Sequence, residues 1–349
     1  MGVFTVLGET DLIELANAFG LGDVRGFRSI AAGTINSNFE LITSQGAFFV
    51  RVNEGKSEPD VSWEARVVTA LAAGGVVTPP PLKALDQRPY MPLGPRSAAF
   101  AGSLHLGPRS PAFAGSLHLG PGRKWVSVFP WRKGSHLTPG QITPELAHKF
   151  GVALGQLHRV GLDLPGAWRR GSIYDHHHLV TRYQRFERSD DRELADAIRI
   201  IGEELDHSAD ATHLRNRAAH GMIHGDLFRD NVLWDGGEIS AILDFEQASG
   251  GSLVYDLAVC LNDWCWDGAP RIELAHALIT GYQTVRPLTA GDRIALPVEV
   301  RAAAARFTIT RITDVYLARV QNPDKDFRAF LARCEAWRGP SLRQLTSAV

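Results

Sequence analysis

The sequence is short of the features that mark secreted, membrane-spanning or nucleic-acid-binding chains. It has three cysteines in 349 residues, Cys260, Cys265 and Cys334. Their number is odd and their spacings fit no disulfide framework or zinc site, so a reducing cytoplasm is the expected setting. No apolar run reaches the length of a bilayer-spanning helix. The opening MGVFTVLGETDLIELANAF lacks the basic start and apolar core of a secretory signal. Charge of one sign is missing too. A net charge of −1 gives no field that would favour nucleic acid or a membrane surface as partner. What is present, 44% hydrophobic and 21% charged residues, suffices for two packed lobes.

Along the chain the periodicity changes once. Thr10 to Phe19 reads as a helix with Leu12, Leu15, Ala16 and Phe19 on one face and Gly20 as its stop. Residues 25–53 read as strands around a turn at Ser44–Gly46. A helix is expected from about Pro59 to Ala73, with Glu64, Val67, Val68 and Leu71 on one side. Strand signals return near Leu82–Leu85 and in KWVSVF at 124–129. Between them LGPRSAAFAGSLH (93–105) is followed by LGPRSPAFAGSLH (106–118), a tandem copy with one change. Two copies are too few for a solenoid, and the expectation is an insertion in a hairpin loop. After Phe129-Pro130-Trp131 the pattern turns helical. Thr143 is a good N-cap ahead of Pro144, and Leu146, Phe150, Leu154 and Leu157 form a stripe. His176-His177-His178 reads as an exposed turn. The division expected is an α+β chain with a β-rich lobe over 1–128, a hinge at 129–136 and a mainly helical lobe over 137–349.

The chemistry concentrates in GMIHGDLFRDNVLWDGGEISAILDF, residues 221–245. Phosphoryl transfer from ATP asks a protein for positioning, metal ions and a carboxylate near the attacking hydroxyl. Asp226 suits the carboxylate. Asn231, five residues on, and Asp244, on the next strand-turn, suit Mg2+, which prefers hard oxygen ligands. His224 reads as structural.

The pattern HGDLFRDN with ILDF, followed by YDLA at 255–258, resembles the choline and aminoglycoside kinase-like superfamily, relatives of the protein kinases. Protein kinases carry H-R-D and D-F-G at these places. Here Gly225 stands for the Arg and Glu246 for the Gly, and no A-P-E follows, which favours a small-molecule kinase. The resemblance implies a two-lobed protein-kinase-like fold with an antiparallel N-terminal sheet. It places Gly33, Ser37 and Asn38, in a loop that is not G-x-G-x-x-G, over the ATP phosphates. It also places Arg51, where most relatives have Lys, on the phosphates and in a pair with Glu64, with Lys56 as the alternative cation. Asp256 would brace the catalytic loop.

YDLAVCLNDWCWD at 255–267, VRVNE, KWVSVFPW and RAAAARFTITRITDVYLARVQNPDKDFRAFL at 301–331 resemble bacterial homoserine kinases. That branch implies ATP and L-homoserine as substrates. Asp263 is the expected partner of the substrate ammonium and Arg311 of its carboxylate. The residues alone leave open another amino alcohol, a sugar, an aminoglycoside, or a non-catalytic nucleotide-binding module.

Overall fold

The computed structural model describes residues 5–30, 36–94 and 124–347. Gly33 and the repeat from residue 95 onward lie outside them. The chain forms two units. The first comprises 5–73, 78–94 and 124–133, and the second 74–77 and 134–347. The stretch 74–77 goes with the second unit because Ile242 N–H donates to Val77 O at 2.7 Å.

In the first unit, helix α1 (Glu9–Phe19) precedes strands β1 (Val24–Ser29), β2 (Ser37–Thr43) and β3 (Gly46–Asn53). Helix α2 (Glu58–Ala73) and strands β4 (Met91–Leu93) and β5 (Lys124–Pro130) complete it. The five strands form one antiparallel sheet in the order β1-β2-β3-β5-β4. Alternation along the strands makes its two faces different. Phe39, Leu41, Val50, Val52, Val126 and Val128 join Leu12, Leu15, Ala16 and Phe19 of α1 in an apolar core. The intervening positions point the other way. Arg51 lies opposite Ser127 and opposite Asn38, and Asn53 opposite Trp125. That polar face is where α2 brings the buried Glu64. The strand expected at Leu82–Leu85 is absent. Leu82 N–H donates to Val128 O and Ala84 N–H to Arg88 O, so this stretch is a turn-bearing loop and the edge strand forms at β4.

The second unit is helical around three small β-pairs. It runs α3 (Pro144–Asp163), α4 (His176–Tyr183), α5 (Ala195–Asp210), α6 (Thr212–Arg215), β6 (His220–Ile223), β7 (Val232–Asp235), β8 (Glu238–Ile242) and β9 (Ser249–Ser252). Then come α7 (Leu253–Asp263), β10 (Trp266–Asp267), β11 (Ala269–Pro270), α8 (Ile272–Val285), α9 (Ala290–Arg311), α10 (Arg328–Ala336) and α11 (Pro340–Thr346). Helices α3 and α8 pack closely. A Cβ on Gly151 would lie 2.0 Å from Leu278 O, and one on Gly281 2.0 Å from His148 O. Only glycine lets the backbones approach this far. The triple histidine is not a turn. It opens α4, where Asp175 caps the helix by accepting from His178 N–H. No helix among the described residues is long and apolar enough to cross a membrane.

Candidate active site

The loop between β6 and β7 carries Asp226 and Asn231, and Asp244 follows β8. Hairpin register brings the last two together. Val232 pairs with Ile242, and Leu243 N–H donates to Asn231 O at 2.8 Å. Asp244 has φ 61°, a left-handed conformation. Aspartate tolerates this region better than most residues, and such strain gathers at functional sites. Asn231 Nδ2 donates to Asp226 O at 2.7 Å, so the amide oxygen points elsewhere. Asp244 is exposed. An amide oxygen and a carboxylate are a fitting pair for Mg2+, which takes few protein ligands and completes its shell with phosphate oxygens and water.

The loop is braced from beneath. Buried Asp256, at the start of α7, accepts from His224 N–H at 2.6 Å and Gly225 N–H at 2.7 Å. Gly225 has φ 80°, and a Cβ there would lie 3.0 Å from Gln247 O, so the backbone leaves no place for a side chain. His224 Nε2 donates to Leu243 O at 2.8 Å, and Asp226 N–H donates to His224 Nδ1 at 3.3 Å. These bonds fix one tautomer and tie the Asp226 loop to the strand end that leads to Asp244. Asp256 also accepts from His158 Nε2 at 3.1 Å. His158 Nδ1 meets the Tyr282 hydroxyl at 2.8 Å, Arg286 donates to that hydroxyl at 3.0 Å and to Asp292 at 2.9 Å, and Asp292 accepts from Ala219 N–H at 2.9 Å. The chain of bonds thus returns to the residue preceding β6. Burial works against the charge of Asp256, but His158 and the loop donors outweigh it and hold its carboxyl below the usual range.

Around Asp226 both signs of charge are present. Arg306 of α9, 3% exposed, donates from Nη1 to Asp226 Oδ1 at 3.2 Å. Asp263, expected to be open to a substrate, is already engaged. Both its oxygens accept from Arg229, through N, Nε and Nη2 at 2.8, 2.9 and 3.1 Å. It therefore clamps the loop between β6 and β7 to α7. Arg311 stacks on Phe330 and donates to Asp326 O at 3.0 Å. Burial lowers its pKa, and Asp263, Asp230 and Asp226 pull it back up. Asp314, its sequence neighbour, pairs with Arg182 at 2.6 Å. Asp230 accepts no hydrogen bond among the described residues. Partial burial, then the charges of Asp263 and Asp226, raise its carboxyl above the usual range.

In the first unit Arg51 Nη2 donates to Glu64 Oε1 at 2.8 Å, and Lys56 Nζ to Glu64 Oε2 at 3.2 Å. Burial alone would raise the Glu64 pKa. Arg51 and Lys56 reverse this and bring it to about 2. Arg51 lies 5.3 Å from the Phe129 ring centroid, and both line a small cavity with Glu64, Val68, Pro81 and Ser127. Asn38 shares this face. Ser37 does not: it is fully buried and donates to Glu54 Oε1 at 2.7 Å while accepting from Thr5 N–H. Its side chain is thus committed to Glu54 and Thr5 at the start of β2. Arg306, His158 and Glu54 carry no local signature in the sequence. Arg301, Arg306 and Arg311 recur every five residues, which on a helix sends each to a different face.

The profile of the Phosphotransferase enzyme family, APH, matches residues 26–288. A Methylobacterium radiotolerans protein named homoserine kinase is 32% identical over 326 residues, spanning 90% of this chain and 88% of that one. One of the same name from Gluconacetobacter diazotrophicus is 32% identical over 319 residues, spanning 90% and 89%. Among solved structures, amicoumacin kinase hAmiN in complex with AMP-PNP, Ca2+ and Ami matches at TM-score 0.68 and 15% identity, over 98% of this chain and 94% of that one. The microcompartment-associated aminopropanol kinase matches at 0.63 and 18%, over 96% and 98%. The fold is therefore that of protein-kinase-like phosphotransferases, and the chain belongs to the phosphotransferase enzyme family, an enzyme that transfers phosphate from ATP.

Proposed function

We propose that the chain is a homoserine kinase, transferring the γ-phosphoryl group of ATP to the hydroxyl of L-homoserine. The observation that carries the reading is the mixed charge around Asp226. Arg311 stands among Asp226, Asp230 and Asp263, a set matched to a zwitterion. A polycation such as an aminoglycoside calls for acids alone. The relatives named homoserine kinase, similar over nearly their whole length, support it.

In this reading Asp226 orients the acceptor hydroxyl and takes its proton as the oxygen bonds to the γ-phosphorus and the bond to the β-phosphate oxygen breaks. Asn231 and Asp244 would hold Mg2+, which would supply positive charge to the phosphate oxygens. Arg51, kept in place by Glu64, serves the α- and β-phosphates, and Asn38, opposite Arg51 on β2, faces the same groups. Arg311 receives the substrate carboxylate. Because Asp263 is committed to Arg229, the ammonium falls to Asp230, with Asp263 behind it.

The test is ADP release with Mg-ATP against homoserine, serine, threonine, choline, ethanolamine and one aminoglycoside. A kcat/KM for homoserine at least about tenfold above every other acceptor supports the assignment, since one well-placed polar contact discriminates by more than this. A higher value for any acceptor lacking a carboxylate sinks the choice of substrate and leaves phosphoryl transfer standing.

A further inference from the structure

Helix α9 touches the catalytic strand-loop at two points. Near its start Asp292 accepts from Ala219 N–H, just ahead of β6. Near its end Arg306 donates to Asp226, just after β6. The two helix residues lie roughly 21 Å apart at 1.5 Å rise per residue, about the reach of the extended chain they bracket. The helix thus holds this segment at two points, one ahead of β6 and one after it.

Arg306 is unusual within that helix. Its guanidinium is buried, yet Asp226 is the only carboxylate it reaches among the described residues. Its Cζ lies 4.0 Å from the Tyr174 ring centroid and 3.7 Å from that of Phe307. Two aromatic faces thus fix the plane of the guanidinium. Its Nε has no partner among the described residues. It borders a cavity of about 20 Å³, shared with Arg215 and Tyr255, which has room for one water molecule. A buried cation without a partner is costly, so the arrangement favours one geometry in which Nη1 meets Asp226 Oδ1. Oδ2 is then left without a hydrogen bond among the described residues.

We propose that Arg306 is a positioning residue for phosphoryl transfer: from α9 it pins one oxygen of Asp226 so that the other faces the acceptor hydroxyl. This rests on the reading that Asp226 serves that hydroxyl. It adds that the aim of the carboxylate is set by a helix distant in sequence as well as by the loop's own brace.

The experiment is a double-mutant cycle on kcat with wild type, Arg306→Met, Asp226→Asn and the combined variant, alongside Arg306→Lys. The acceptor is whichever the panel shows to be turned over. Misaiming a catalytic group by about 1 Å can cost on the order of 100-fold. Arg306→Met should lower kcat about 10- to 100-fold with KM for ATP within about twofold, and Arg306→Lys should regain part of the loss. In the Asp226→Asn background the same Arg306→Met change should cost less than about threefold, because the group it positions is gone. Equal losses in both backgrounds, or a kcat for Arg306→Met within about twofold of wild type, overturn the proposal. If Arg306→Met does not fold, Arg306→Lys carries the test, and wild-type kcat there overturns it. Full activity in Asp226→Asn alone refutes the role of Asp226, a distinct outcome. A protein inactive on every acceptor refutes both.

Discussion

Two buried guanidinium groups, one in each unit, meet carboxylates in different ways. In the first unit Arg51 and Glu64 are both closed from water, with side chains 9% and 6% exposed. In the second, Arg306 is 3% exposed but Asp226 is 34%. The closed pair has no spare valence on the acid, since Arg51 takes one oxygen of Glu64 and Lys56 the other. The half-open pair leaves one carboxylate oxygen unspent. The same chemistry thus yields a rivet in one place and an aimed tool in the other, and exposure of the acid makes the difference. A third pair marks the far end of the scale. Lys149 and Glu238 meet at 2.5 Å with side chains 32% and 73% exposed.

This ordering breaks if the variants do not follow it. The largest effect expected is on turnover. Asp226→Asn should lower kcat by about 10²- to 10⁴-fold, the range for a positioned acid or base, while titration with an ATP analogue gives a Kd near that of wild type. Next comes stability. Glu64→Gln leaves two cations without their acid, and urea unfolding should show a loss of about 3 kcal/mol, as for a broken buried pair. Arg51→Met with Glu64→Leu should recover much of it; an equal or larger loss in the double variant would mean the pair itself, not the stranded charge, is what stabilises.

Acid sharpens the same contrast. The folded Glu64 carboxyl titrates near 2, below its ordinary 4.5. Because the folded value is depressed, the stabilisation is whole above about pH 4.5 and is lost as pH falls through about 2. The difference in urea midpoint between wild type and Glu64→Gln should stay constant above pH 5 and shrink below 4.5. A difference that persisted unchanged at pH 2.5 would contradict the depressed value. The smallest effect is at the surface. Glu238→Gln should change stability by less than about 1 kcal/mol, and by less still in added salt.

What could be read from the sequence was what lies close together in it. Asp226, Asn231 and Asp244 fall within one strand-loop-hairpin, and their order and spacing follow from that local geometry. The Arg51–Glu64 pair spans 13 positions across one strand and one helix, still within reach of pattern. Pairing of β6 with β9 was not foreseeable, because SGGS has no strand propensity and forms only against a partner. Asp263 is similar. It is buried at the end of α7, and nothing in that helix's sequence signals that Arg229, 34 positions earlier, donates to it. The stretch from His176 to His178 reads as a turn by composition, yet one capping aspartate decides for a helix.

The two contacts of α9 with the Asp226 segment have a consequence for how such a protein can change over generations. In the proposed reading the base and the metal ligands sit on one contiguous stretch, while Arg311, proposed for the acceptor carboxylate, and Arg306, proposed to aim Asp226, come from a helix whose contact with Asp226 spans 80 positions. On this reading, substitutions at Arg311 would alter what is phosphorylated and substitutions at Arg306 how fast. Acceptor preference and chemical competence would then rest on different positions of one helix, and a drift from one small hydroxyl compound to another could proceed with Arg306 kept.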